Sequence, residues 1–174
     1  MARSVSALED ALLQYVFGAP ATSPGDTGAG WANAYAEYAK DAQSCALVFP
    51  TPASIALGKT AMSSAIASAS ASAPPYDPVT GVGLSLPPAV AFGIAGAFAA
   101  FWAPIDFPGM TAPIGVPPVP PPPLPGLAMS FLTFWGSINT DAAGAASSNA
   151  AFIHAWTSGV IVSHAPGCGP SPIL

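Results

Sequence analysis

The stretch LPPAVAFGIAGAFAAFWA, residues 86 to 103, contains no charged side chain, and its only hydrogen-bonding side chain is the Trp102 indole. A helix that is apolar on every face is buried either in a protein core or in a lipid bilayer. Eighteen residues of helix span about 27 Å, which is just enough for a thin hydrocarbon layer. The segment therefore predicts one buried helix, surrounded by protein or by lipid.

Charge is scarce well beyond this helix. After Lys59 the chain has no Lys or Arg and only three acids, Asp77, Asp106 and Asp141. The whole chain is 6% charged and 52% hydrophobic, whereas a typical globular domain is about 25% charged. Intrinsic disorder requires the opposite balance, with little hydrophobicity and much charge. We therefore predict a folded chain that is covered by other protein chains or by lipid.

The few basic residues exclude two classes of partner. Arg3, Lys40 and Lys59 are the only fixed positive charges, and the formal net charge is -5. Nucleic-acid binding requires several cations to neutralise phosphates. Attraction to anionic lipid headgroups requires a basic cluster as well. We expect neither partner.

The pattern of the chain predicts a mainly α fold in a single domain, residues 1–174. About five helices are expected in hairpin or bundle-like packing, with little or no β structure. The predicted parts are a more polar helical part at 1–73, an apolar helix at 84–103, a proline-rich strap at about 104–125, a C-terminal helical part at 126–165 and a tail without regular structure at 166–174.

Apolar residues at helical spacing place the individual helices. They are predicted at 4–17, 30–45, 52–71, 86–103 and 126–138, with a last helix beginning at Thr140 and Asp141. Thr51 followed by Pro52 is typical of an N-cap and the first helical position. Glycine and proline predict a loop at 19–29. Residues 160–163 are sufficiently β-branched to form a short strand instead of helix.

The proline-rich strap contains ten of the 22 prolines of the chain. Such a segment favours extended polyproline II structure, which is semi-rigid. Its P-x-x-P spacings, such as Pro117 to Pro120, resemble ligands of SH3 and WW domains. No Arg or Lys flanks them, so we favour a structural strap along a subunit surface.

Motifs for catalysis and for metal binding are missing from the sequence. Gly58-Lys59-Thr60 resembles the end of a P-loop, but Ala53 occupies the position of the first required glycine. His154 and His164 are ten residues apart, which does not place two ligands on one helical face. Neither G-x-S-x-G nor S-x-x-K occurs. We therefore predict no enzyme activity, no cofactor and no metal.

The two cysteines, Cys45 and Cys168, leave their pairing open. No secretory signal is apparent at the N-terminus, since Glu9 and Asp10 interrupt the apolar region that it would need. Free thiols are therefore favoured over a disulfide. The expected location is the cytoplasm at synthesis and then an assembled particle, with a membrane as the alternative.

These observations predict a non-enzymatic structural subunit of a large multi-copy assembly, such as a phage or phage-like tail, baseplate or capsid component. Its partners would be copies of itself and other subunits of the particle. The alternative is a small integral membrane protein with one spanning helix at about 86–103. The candidate interface residues are the aromatic side chains of the later helices: Phe92, Phe98, Phe101, Trp102, Phe131, Phe134, Trp135, Phe152 and Trp156.

Overall fold

The computed structural model describes residues 4–18, 21–73, 87–110, 124–136, 141–164 and 168–173. Over these ranges the chain is mainly helical with one two-stranded sheet, so the predicted fold class is confirmed. The elements are α1 (Val5–Leu12), a π-helical turn (Leu13–Phe17), α2 (Pro24–Ala39), α3 (Pro52–Ala71), α4 (Pro88–Trp102), α5 (Leu124–Gly136), α6 (Ala142–Thr157), β1 (Ile161–His164) and β2 (Cys168–Pro172).

Four helices begin at a side-chain cap. The capping oxygen accepts a hydrogen bond from the backbone N–H three residues further on, which satisfies one of the donors left free at a helix start. The caps are Ser4, Ser23, Thr51 and Asp141. The predicted helix at 52–71 and the predicted start of the last helix at Asp141 are both confirmed.

The start of α2 differs from the prediction. The helix begins at Pro24, inside the predicted loop at 19–29, and it ends at Ala39 rather than at residue 45. The Asp26 carboxylate accepts hydrogen bonds from the Thr22 and Ser23 hydroxyl groups, and these bonds lower the pKa of Asp26. Proline at the first turn and an acid near the positive end of the helix dipole offset the unfavourable glycines of this segment.

The end of the chain also differs from the prediction. β1 pairs with β2 in antiparallel register, with Ile161 opposite Pro172 and Val162 opposite Ser171. The sequence left open whether 160–163 is strand or helix, and the structure has a strand at Ile161–His164. The predicted structureless tail is wrong over 168–172. A two-stranded sheet leaves each strand one free edge, so its second strand tolerates proline.

The proline-rich strap lies largely outside the described residues, at 111–123. Its first part, residues 104–110, forms turns instead of polyproline II. Ile105 N–H donates to the Trp102 carbonyl, and Met110 N–H donates to the Phe107 carbonyl. Ile105 and Phe107 are buried, and burial of these two side chains explains why the backbone turns back onto the helices.

The apolar helix α4 contributes Phe98, Phe101 and Trp102 to the core. It packs against α3 and α5, while α3 packs against α2, and α1 packs against α2 and α6. Glycine allows α3 to approach α4 closely, since a β-carbon on Gly58 would lie 2.5 Å from the Phe101 carbonyl oxygen. Phe98 and Phe101 have no exposed surface. The buried face of α4 is therefore covered by other helices of the same chain, while Phe92 on its other face is exposed.

Candidate functional site

A chain of hydrogen bonds crosses the core and joins three helices. The Trp102 indole N–H of α4 donates to the Tyr35 hydroxyl of α2 at 2.8 Å. The Tyr35 and Thr157 hydroxyl oxygens are 2.7 Å apart, and the Thr157 hydroxyl donates to the Ile153 carbonyl of α6. Because Thr157 has a single hydroxyl proton, Tyr35 donates to Thr157. Each hydroxyl group in this chain accepts one hydrogen bond and donates the next, so the buried polar groups of Trp102, Tyr35 and Thr157 all have partners.

A second polar contact joins α2 to α6. The Tyr38 hydroxyl lies 2.7 Å from Nδ1 of His154. Tyr38 is buried, whereas His154 is partly exposed. His154 therefore joins α2 to α6. Among the described residues, no group of three or more His, Cys, Asp and Glu side chains is close enough to hold a metal ion.

The Tyr35 hydroxyl can be tested by its removal. Tyr35→Phe leaves the buried Trp102 N–H without this acceptor, so we expect the free energy of unfolding to fall by about 1–3 kcal/mol. Tyr15→Phe removes the same atom from a side chain that is 36% exposed, and it should change stability by less than about 0.5 kcal/mol. Equilibrium denaturation in urea measures both. Equal losses for the two variants would contradict a structural role for this bond.

A half-open groove lies between the π-helical turn, α2 and α3. Its volume is about 290 Å³, and it contains two of the three basic residues of the chain. Lys40 forms an ion pair with Glu37 on the same helix, and this hydrogen bond raises the pKa of Lys40. Lys59 forms no ion pair with any residue that the structure describes. The groove is lined by Tyr15, Asn33, Ala36, Glu37, Lys40, Pro52, Ile55, Ala56 and Lys59.

The outer faces of the later helices lack charge. On α6 the exposed positions are all alanine, glycine or serine: Ala142, Ala143, Gly144, Ser147, Ser148, Ala151 and Ala155. Several large apolar side chains are also exposed on the surface, among them Leu57 of α3, Phe92 of α4 and Met129 of α5. Among the described residues from Pro52 onward, the charged side chains are Lys59, Asp106 and Asp141. This surface contrasts with that of a typical small domain, where about a quarter to a third of the positions are charged.

The nine candidate interface residues separate into four groups. Five of them are buried inside the chain's own core: Phe98, Phe101, Trp102, Phe131 and Trp156. Phe152 is partly buried and contacts Phe131 edge to face at 5.0 Å, while the side chains of Phe134 and Trp135 lie outside the described residues. Phe92 is 46% exposed. In this conformation the five buried side chains are not available to a partner, whereas Phe92 is.

The cysteines differ from the favoured expectation. Cys45, in the turn after α2, is disulfide-bonded, so the expectation of free thiols is wrong. The sequence contains one other cysteine, Cys168, so Cys168 is the one residue of the chain that can be its partner. The separation of the two residues along the sequence did not indicate this pairing.

No protein-family model, no curated protein and no solved structure matches this chain. Within the described ranges, no helix combines the length and the apolar character that a membrane crossing requires. Arguments about function therefore rest on the residues themselves. The structural features that bear on the function are the charge-poor outer surface and the groove beside Lys59.

Proposed function

We propose that this protein is a non-enzymatic structural subunit that assembles in multiple copies. The observation that carries the proposal is the outer surface of α3 to α6, which is nearly free of charge while the core beneath it is well packed. Permanent interfaces are more apolar than other protein surfaces. Their centres are also depleted in charged residues.

The packing of the core supports a subunit that folds before it assembles. The largest aromatic side chains contact one another within the chain, as Phe98 does with Tyr35 at 4.8 Å and with Phe131 at 5.8 Å. Assembly therefore does not require these side chains to leave the core. The surfaces that would form subunit contacts are the small-residue face of α6 and the exposed apolar side chains Leu57, Phe92 and Met129.

The kind of particle stays a prediction. A tail, baseplate or capsid component of a phage or phage-like particle is one form of the proposed assembly, and its partners would be copies of the chain and other subunits. The alternative of a membrane protein is less favoured, because α4 packs against α3 and α5 in this fold. Absence of enzyme activity likewise stays a prediction.

Fractionation of cells that produce the protein distinguishes a structural subunit from an integral membrane protein. A structural subunit is expected to sediment as a complex of the same size with and without mild detergent. An integral membrane protein would remain in the membrane pellet after an alkaline carbonate wash. Retention of this protein in the washed pellet would overturn the proposed function.

A further inference from the structure

The groove between α2 and α3 has polar side chains at both ends. The two helices run antiparallel, because the end of α2 lines the groove together with the start of α3, while Gly28 near the start of α2 lies against Ser63. A β-carbon on Gly28 would be 2.3 Å from the Ser63 carbonyl oxygen. With a rise of about 1.5 Å per residue, this register places Asn33 level with Lys59 and Lys40 level with the first turn of α3. The two ends are thus about 10 Å apart along the helices.

The two ends of the groove differ in charge. At one end the Lys40 ammonium is neutralised by Glu37 of the same helix. At the other end, the Lys59 ammonium and the Asn33 side-chain amide have no hydrogen-bond or ion-pair partner in the part of the chain that the structure describes. Both of these groups donate hydrogen bonds, and Asn33 is partly buried. The lining therefore carries one uncompensated positive charge, at the Lys59 end.

The lining between the two ends is apolar. It consists of Ala36 of α2 together with Ile55 and Ala56 of α3. Tyr15 of the π-helical turn lines the groove from the side, where the turn approaches α2 so closely that a β-carbon on Gly30 would be 2.4 Å from the Tyr15 carbonyl oxygen. The volume of about 290 Å³ is at the lower end of the range for small-molecule sites. An occupant is therefore small, with an apolar part that contacts Ile55 and Ala56.

We propose that this groove binds a small monocarboxylate with an apolar body, such as a short-chain fatty acid. The carboxylate accepts hydrogen bonds from the Lys59 ammonium and the Asn33 amide, and hydrogen bonds to an ionised group are stronger than those between neutral groups. One uncompensated cation matches one negative charge, whereas a phosphate dianion would bring a second negative charge into a groove that already contains the Glu37 carboxylate. The site is additional to the proposed function and does not depend on assembly.

Titration of the full-length protein with hexanoate tests the site. Saturation-transfer difference NMR observes the ligand, so it measures binding whatever the size of the protein complex. We expect a Kd on the order of 1 mM, which is within reach of a ligand of this size. Acetate carries the charge without the apolar body, and 1-hexanol carries the apolar body without the charge. Each should therefore bind at least about fivefold more weakly than hexanoate.

Two variants at exposed positions of α3 locate the site in the groove. Lys59→Gln removes the charge from a side chain of similar length, and it should raise the Kd for hexanoate about fivefold to tenfold. Ala56→Trp places a large ring in the groove and should abolish the hexanoate signal. Lys59 and Ala56 are both exposed, so neither change disturbs the core, and far-UV circular dichroism verifies folding.

The double variant Glu37→Gln/Lys40→Gln serves as the matched control. It removes the ion pair at the other end of the groove without changing the net charge of the lining, so it should leave the Kd within about twofold. The proposed site is wrong if hexanoate does not bind, if 1-hexanol or acetate binds as tightly, or if Lys59→Gln retains the original affinity. None of these results depends on the mass of the protein in solution, so the proposed function is tested separately.

Discussion

Replacing Phe98 by alanine is expected to lower the free energy of unfolding by about 3–5 kcal/mol. Phe98 has no exposed surface. Its ring lies 4.8 Å from Tyr35 of α2, 5.8 Å from Phe131 of α5 and 6.3 Å from Trp156 of α6. The substitution therefore leaves a cavity where α4 contacts three other helices at once. Since small domains are stable by about 5–15 kcal/mol, such a loss is close to unfolding.

Phe92 provides a control on the same helix. It is 46% exposed, so Phe92→Ala removes a ring that is nearly half in solvent, and it should lower the free energy of unfolding by only about 1–1.5 kcal/mol. Guanidinium denaturation at one fixed protein concentration measures both variants. If Phe92→Ala were as damaging as Phe98→Ala, the assignment of one ring to the core and the other to the surface would be wrong.

After Phe98→Ala, loss of the disulfide is expected to lower the free energy of unfolding the most. The two cysteines are 123 positions apart, and closure of a long loop restricts the unfolded chain strongly. We expect Cys45→Ser, or treatment with a dithiol reductant, to lower the free energy of unfolding by about 2–4 kcal/mol. Thermal unfolding with and without reductant measures the loss as a lower Tm.

The Cys45→Ser variant is also the control for the reductant, because its Tm should no longer respond to reduction. Titration of thiols in the native protein gives an independent answer. Reaction of both cysteines with a thiol reagent before any reduction would contradict the disulfide. The predicted route through cytoplasmic synthesis to an assembled particle, with a membrane as the alternative, stays a prediction.

Elements with clear local signals were predictable. The limits of α3 follow from the Thr51 cap and Pro52 at one end and a dense proline segment after the other. α2 was placed six residues late because Gly25, Gly28 and the neighbouring proline are typical of loops. At Gly28 the reason for glycine is tertiary, since a β-carbon there would collide with the Ser63 carbonyl oxygen of α3. Contacts between helices are not visible in a local pattern.

The candidate site was less predictable than the fold. Aromatic residues at helical spacing identify the side of a helix that is buried, but they do not say whether the chain itself or a partner covers it. Phe98, Phe131 and Trp156 are covered by the chain itself. Asn33 and Lys59 are far apart in the sequence, and only the packing of α2 against α3 brings both of them to one groove.

The mass of the native protein in solution tests whether other copies cover the charge-poor surface. The purified full-length chain, with its disulfide intact and without detergent, is examined by light scattering during size-exclusion chromatography over a series of loading concentrations. Assembly predicts a mass of at least twice the 17.2 kDa of one chain that falls on dilution or remains constant as a closed multimer. A mass of 17.2 kDa at every concentration would contradict it.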